Sequence, residues 1–385
     1  VFKTPFVFLM QVPDKYNYLI IYVVLILLFD TLVLVPFANL RLKRKAGKFV
    51  FIKMSFIIIN ILLILVFIVK FKYGIEAIFL SNLLASVIAF LMLLPEIFKN
   101  LTLKIDKEEL KKMLKFGIPY LPASISATIV QVIDRPILTA ITNDATVGIY
   151  TANYKLGIFM MLFVNMFQYA WQPFFLLNAK EKDAKEIFAK ILTLFVMAAS
   201  IIWIFVTLFV DDFAKFKIGA HSSLIAEPFW SGLPIVPIIL LSYVFHGMYV
   251  NFNAGIYIEE KTKYLPYVTL IGAVINVIAN ITLIPYFSLM GAAYATLFSY
   301  FSMCVSLYFV SQRFYKINYE IGKILKILGL IILTAIIFYY LFYNGLLTYV
   351  NKFILLIAFF IMLFVLRIIK KSDLLIAKRV ILRRR

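Results

Sequence analysis

Residues 187–210 read IFAKILTLFVMAASIIWIFVTLFV, with Lys190 as the only charge in the run. A helix needs about 20 mostly apolar residues to cross a bilayer, because hydrocarbon gives backbone N–H and C=O groups no partner outside the segment. Polar segments bound the run, KEKDAKE at 180–186 and DDFAKFK at 211–217. The same alternation extends in both directions. Ten further segments meet the criterion: 17–38, 50–70, 74–95, 116–141, 147–172, 233–257, 264–285, 289–311, 324–343 and 349–369. The connections are short, and the longest, 211–232, has room for a surface element but not for a folded domain.

Composition agrees. Of 385 residues, 64% are hydrophobic and 15% charged, and the mean hydropathy is +0.98. Soluble domains have about 45–50% apolar residues and about 25% charged, so a soluble fold is excluded. An outer-membrane barrel is excluded too, since its strands alternate apolar and polar residues whereas these runs are unbroken. The reading is a polytopic, all-α membrane protein.

The net charge of +20 would point to nucleic acid in a soluble chain; here it marks topology. Of the 39 basic residues, 29 fall in alternate connections and the tail, beginning with Arg41, Lys43, Arg44, Lys45 and Lys48 and ending with Arg383, Arg384 and Arg385. By the positive-inside rule these segments, and so the C-terminus, are cytoplasmic. No nucleic acid is expected as a partner. Two stretches, 101–115 (LTLKIDKEELKKMLK) and 371–385 (KSDLLIAKRVILRRR), interleave apolar and basic positions. Each reads either as a segment lying on anionic membrane lipids or as a solvated basic linker.

A weak internal repeat links 35–53 with 250–268 and 73–87 with 290–304, at offsets of 215 and 217 residues. Six spans separate the copies, so both have the same orientation, related by an axis along the membrane normal. The segments at 116–210 then lack an N-terminal counterpart, and the expectation is that about 100 residues, or three helices, precede this chain.

There is no phosphate-binding loop, no His/Cys/Asp/Glu cluster with metal spacing and no nucleophilic triad, so no enzyme, cofactor or metal is expected. What stands out is charge inside helices, where insertion costs about 2.5–3.5 kcal/mol per group and usually signals a cavity or a partner. Asp134 and Arg135 lie in one helix and Lys155 in the next, about equally far from the turn between them. Two readings are open. One is an ion pair that fixes the hairpin. The other is a cationic, water-filled cavity for an anionic group, lined also by Gln131 and Asn153. Asp30 is a third intramembrane acid, readable as a coupling or cavity acid or as a partner to a distant cation. Trp171, Phe174, Phe175, Phe229 and Trp230 read as interfacial belt residues.

At these residues a family becomes visible. IDRPIL (133–138), VGIYTANYKLG (147–157) and AWQPFF (170–175), then GIYIEEKTKYLP (255–266) and INVIANITLIPYFSLMGAAYATLFSY (275–300), resemble the C-terminal lobe of prokaryotic polysaccharide exporters. These are the O-antigen-type flippases, the polysaccharide-transport branch of the multidrug/oligosaccharidyl-lipid/polysaccharide exporter superfamily. The resemblance implies two pseudo-symmetric six-helix lobes around a central cavity plus two C-terminal helices. It places the rest of the N-terminal lobe at 1–98, a basic interfacial linker at 99–115 and the C-terminal lobe at 116–311. The two extra helices fall at 312–369 and a basic tail at 370–385. It also implies alternating access, in which a polyprenyl-diphosphate-linked oligosaccharide crosses to the outer leaflet of the cytoplasmic membrane, with polysaccharide polymerase or assembly proteins as partners. Arg135 and Lys155, with Asp134 as companion, match the family's cationic cavity residues. The rival readings are a cation-coupled multidrug exporter of the same fold, for which Asp30 is the sole strong intramembrane acid candidate in the N-terminal part, and a lipid II-type flippase. A membrane polymerase or ligase is disfavoured, because the 211–232 loop offers His221 but no Arg.

Overall fold

The computed structural model describes residues 17–43, 45–100, 106–118, 120–218 and 222–366; the basic tail at 370–385 and part of 101–115 lie outside them. Helices sit at all eleven expected spans. The chain runs through α1 (Leu19–Leu42), α2 (Ala46–Val69), α3 (Glu76–Asn100) and a short α4 (Lys107–Gly117). It continues through α5 (Tyr120–Val132), α6 (Asp134–Ile141), α7 (Asp144–Tyr154), α8 (Ile158–Asn178), α9 (Ala184–Lys215) and α10 (Val236–Ile258). It ends with α11 (Leu265–Phe287), α12 (Leu289–Phe314), α13 (Ile321–Tyr343) and α14 (Tyr349–Val365). A two-residue antiparallel pairing, Lys217–Ile218 with Ser222–Ser223, decorates the loop after α9. Among the described residues nine helices are long and apolar enough to cross a bilayer, and a tenth if the bent pair α5/α6 counts as one span; α14 is a shorter apolar helix.

The chain divides into two compact units, 1–110 and 111–385. In the first, α3 packs against both α1 and α2. Its contact face is a run of small residues one helical turn apart: Ala77, Ser81, Ala85 and Ala89 are all buried, with Ser86 beside them. Small side chains let backbones approach, which matters where lipid offers no hydrophobic drive for helices to associate. Phe37, Leu40, Ile52 and Leu93 fill the remainder. At the end that carries the basic loop, Glu96 is 6% exposed and receives Lys45 Nζ at 3.3 Å and Lys48 Nζ at 2.9 Å.

The second unit is built around α10, which is buried along nearly its whole length from Val236 to Ile256. It packs on α8, α9 and α12, while α11 pairs with α12 and α5. Gly272 and Gly291 bring α11 and α12 together: Ser299 Oγ donates to the Gly272 carbonyl at 2.8 Å. A Cβ on Gly291 would stand 2.5 Å from the Leu283 carbonyl oxygen, which is backbone and cannot swing aside. Gly291→Ala should therefore push the pair apart and cost about 1–3 kcal/mol, the usual penalty for overpacking, visible as a lower midpoint of thermal unfolding in detergent.

Two aromatic assignments change. Trp171 and Phe175 are 3% and 2% exposed, core residues and not belt residues. Trp171 stacks with Phe167 and Phe174 and donates from Nε1 to the Asn251 carbonyl at 3.3 Å. A Trp near a helix end suits an interfacial belt only if its face of the helix is outward, and sequence does not fix that rotation. The lipid-facing positions are instead occupied by residues such as Leu27, Ile61, Leu270 and Ile336, each more than half exposed.

Candidate functional site

The site begins with Pro136. Proline lacks an N–H, and its ring collides with the carbonyl four residues earlier, here that of Val132. The helix breaks there: α5 ends at Val132, α6 begins at Asp134, and the two axes differ by 41°. The break makes Asp134 the first residue of a new helix, where unpaired backbone N–H groups and the helix dipole favour a carboxylate. Asp134 Oδ1 accepts from the Arg135 backbone N–H at 2.9 Å. The Gln131 carbonyl, which that N–H would have bonded in an unbroken helix, accepts instead from Arg135 Nη1.

Asp134 is 1% exposed and fully engaged. Arg135 Nη1 lies 2.9 Å from Oδ1, and the Tyr150 hydroxyl donates to Oδ2 at 2.6 Å. Tyr150 arrives from α7, whose first turn is capped by Asn143 Oδ1 accepting from the Thr146 N–H at 2.8 Å. The i, i+4 spacing puts Tyr150 and Tyr154 on one face of α7, with ring centroids 5.6 Å apart. The Arg135 guanidinium rests on the Tyr154 ring, Cζ 4.7 Å from its centroid. The aromatic series continues through Tyr243 of α10, 6.4 Å from Tyr154, to Tyr300 of α12 at 6.0 Å and from there to His246 at 4.9 Å.

The guanidinium is thus fixed but not used up. Its side chain is 26% exposed. Among the described residues only Nη1 is hydrogen-bonded, which leaves the donors on Nη2 and Nε available. A planar cation held by a buried carboxylate, an aromatic face and a backbone carbonyl is pre-oriented for bidentate contact with phosphate or carboxylate oxygens.

The other expected site residues are placed differently. Gln131 is exposed and joins the cluster through its backbone carbonyl. Asn153 is fully buried, and its Nδ2 donates to the carbonyls of Ile149 at 2.9 Å and Phe229 at 2.7 Å. It ties α7 to the 3-10 segment Glu227–Ile235. Lys155 opens the 3-10 turn Lys155–Gly157, is exposed, and has no acid partner among the described residues. Asp30 belongs to the first unit, where Ser86 Oγ donates to its Oδ1 at 2.8 Å and links α1 to α3. Among the described residues no three His, Cys, Asp or Glu side chains gather as a metal site. Sequence reasoning misses the tyrosine series. Its only signal there is the Tyr150/Tyr154 spacing, about as far past the turn as Asp134 is before it.

The profile of a family described as "Polysaccharide biosynthesis protein" matches residues 8–221. No curated protein sequence matches the chain. Among solved structures, an inward-facing multidrug resistance MATE family transporter of the MOP superfamily is similar with TM-score 0.65 and 14% identity, covering 80% of this chain and 74% of that one. The lipid II flippase MurJ, in an inward closed conformation, is similar with TM-score 0.63 and 16% identity, over 89% of this chain and 73% of its own. A MOP superfamily transporter from Pyrococcus furiosus follows with TM-score 0.53 and 15% identity, over 72% and 65%. These neighbours are transporters and flippases, not enzymes. A profile spanning more than half of the sequence, on a fold shared with these carriers, shows that the chain belongs to the polysaccharide biosynthesis protein family and has the fold of MOP-superfamily transporters.

Proposed function

We propose that this protein is a flippase that moves a polyprenyl-diphosphate-linked oligosaccharide from the inner to the outer leaflet by alternating access, with its C-terminus on the cytoplasmic side. The observation that carries the reading is the part-exposed Arg135, oriented by Asp134 and Tyr154 with donors uncommitted. A diphosphate with a sugar attached cannot enter hydrocarbon unaided, whereas its lipid tail can stay there. A protein that carries it therefore needs cations at membrane depth, and their cost is tolerated only where a partner or a ligand offsets it. Arg135 fits the diphosphate or an acidic sugar, and Lys155, in the 3-10 turn that follows α7, supplies a second positive charge. A carrier for cationic drugs would be expected to expose an acid. Asp134, the acid beside Arg135, is instead enclosed, whereas Asp30 of the first unit is exposed and accepts from Ser86.

Lys155 gives a clean test, since nothing folded depends on its charge. Lys155→Gln in the full-length protein should leave the thermal midpoint unchanged and weaken binding of a polyprenyl-diphosphate oligosaccharide about tenfold, as expected for one hydrogen bond to a charged group. A neutral glycolipid with the same tail should bind the variant and the parent alike. Equal affinity of parent and variant for the diphosphate would remove Lys155 from the site.

A further inference from the structure

The short helix α4 is unlike the other helices among the described residues. Asp106 starts it: its Oδ1 accepts from the N–H groups of Glu108 at 2.9 Å and Glu109 at 3.2 Å, and Glu109 stands at the third helical position, the acidic half of a capping box. The helix start is therefore locally encoded. None of its residues from 107 to 114 is buried. Yet Leu110, Met113 and Leu114 fall on one face by their spacing, and they are 45%, 70% and 49% exposed. Lys107 and Lys111 flank that face on one side, Glu109 borders the other, and Glu108 and Lys112 lie opposite it. The chain enters α4 from the end of α3, where Phe98 is 68% exposed, and leaves it toward α5 past Ile118 and Leu121, at 57% and 58%.

We propose that α4 lies in the plane of the membrane and binds the anionic phospholipid headgroups of the leaflet that borders the basic loops. Leu110, Met113 and Leu114 enter the boundary between headgroups and acyl chains. Lys107 and Lys111 extend along the surface with their ammonium groups at phosphate level, while Glu108 and Lys112 stay on the water side. Each lysine near such a surface strengthens the attraction roughly fivefold, an effect that neutral lipid does not supply. The inference rests on α4 alone and is independent of what the protein transports.

The test uses the full chain with Cys304→Ser, spin-labelled at Met113→Cys or at Glu108→Cys. Vesicles are made of phosphatidylcholine alone or with one quarter phosphatidylglycerol. In the anionic vesicles the label at 113 should be reached by oxygen and shielded from a water-soluble nickel chelate, and the label at 108 should show the reverse. In neutral vesicles, in high salt, or with Lys107 and Lys111 both changed to Gln, the contrast at 113 should fall severalfold. A label at 113 open to nickel in anionic vesicles would make α4 a solvated linker. Shielding from both reagents would mean that protein covers the face, and equal immersion in neutral and anionic vesicles would remove the charge recognition. Each of these three results overturns the proposal.

Discussion

Arg135→Gln in the full-length protein should abolish transport and also lower stability by about 3 kcal/mol, because Arg135 has two jobs. Its Nη1 neutralises Asp134, which is 1% exposed, and breaking a buried pair by removing one partner typically costs about 3–5 kcal/mol. The low end applies because the carboxylate keeps the Tyr150 hydroxyl and the Arg135 backbone N–H. The double variant Asp134→Asn, Arg135→Gln separates the roles. It removes both charges, so its stability should return to within about 1 kcal/mol of the parent, since a neutral replacement of a buried pair is often tolerated. Transport should not return, because the guanidinium is still missing. If the double variant folds and transports normally, the pair serves only to fix the hairpin. Lysine at 135 should rescue poorly, having neither the planar fork nor the ring-stacking surface.

The second large effect is expected far from that site. Lys352 of α14 is 2% exposed, although it stands in the first turn of an apolar helix. It is held by Asp211 Oδ1 at 2.7 Å and Asp212 Oδ2 at 2.5 Å, both near the end of α9. Its ammonium also lies 5.4 Å from the centroid of the Tyr349 ring, at the start of the same helix. Lys352→Met leaves two adjacent carboxylates without their cation. Their side chains are 16% and 30% exposed, so water compensates in part. The expected loss is about 2–3 kcal/mol, below the full range for a sealed pair. Protease cleavage in the 344–348 connection should accelerate as α14 loosens. Adding Asp211→Asn and Asp212→Asn should recover most of the stability. If Lys352→Met alone is neutral, the clamp does not hold α14 to α9.

The two clusters also show what can be read from sequence. The spans are legible because a bilayer imposes a length and a composition on any helix that crosses it, and short connections leave little else to explain. Pro136 is visible within IDRPIL, but its consequence is not: the hydropathy pattern predicts a single span at 116–141, and the helix breaks at Ile133. The pairing of Asp134 with Arg135 is open from their adjacency. Its second partner, Tyr150, is not, because the choice between Tyr150 and Lys155 depends on the rotation of α7 about its axis. Lys352 reads in sequence as one more basic residue outside the membrane core, since its acids lie 140 and 141 positions away. Trp171 is misplaced for the same reason of rotation. Sequence carries the placement of charge along the membrane normal. It does not carry which side chains face each other across a helix pair.

The direction in which a lipid-linked sugar moves is read from its leaflet distribution. In cells from which the gene is deleted, the polyprenyl-diphosphate oligosaccharide should accumulate on the inner leaflet, closed to an impermeant glycan-modifying reagent until the membrane is opened. Restoring the full-length protein should return it to the outer leaflet, and the Asp134→Asn, Arg135→Gln variant should not. Normal surface display in the deleted cells, with no inner-leaflet pool, would contradict the account.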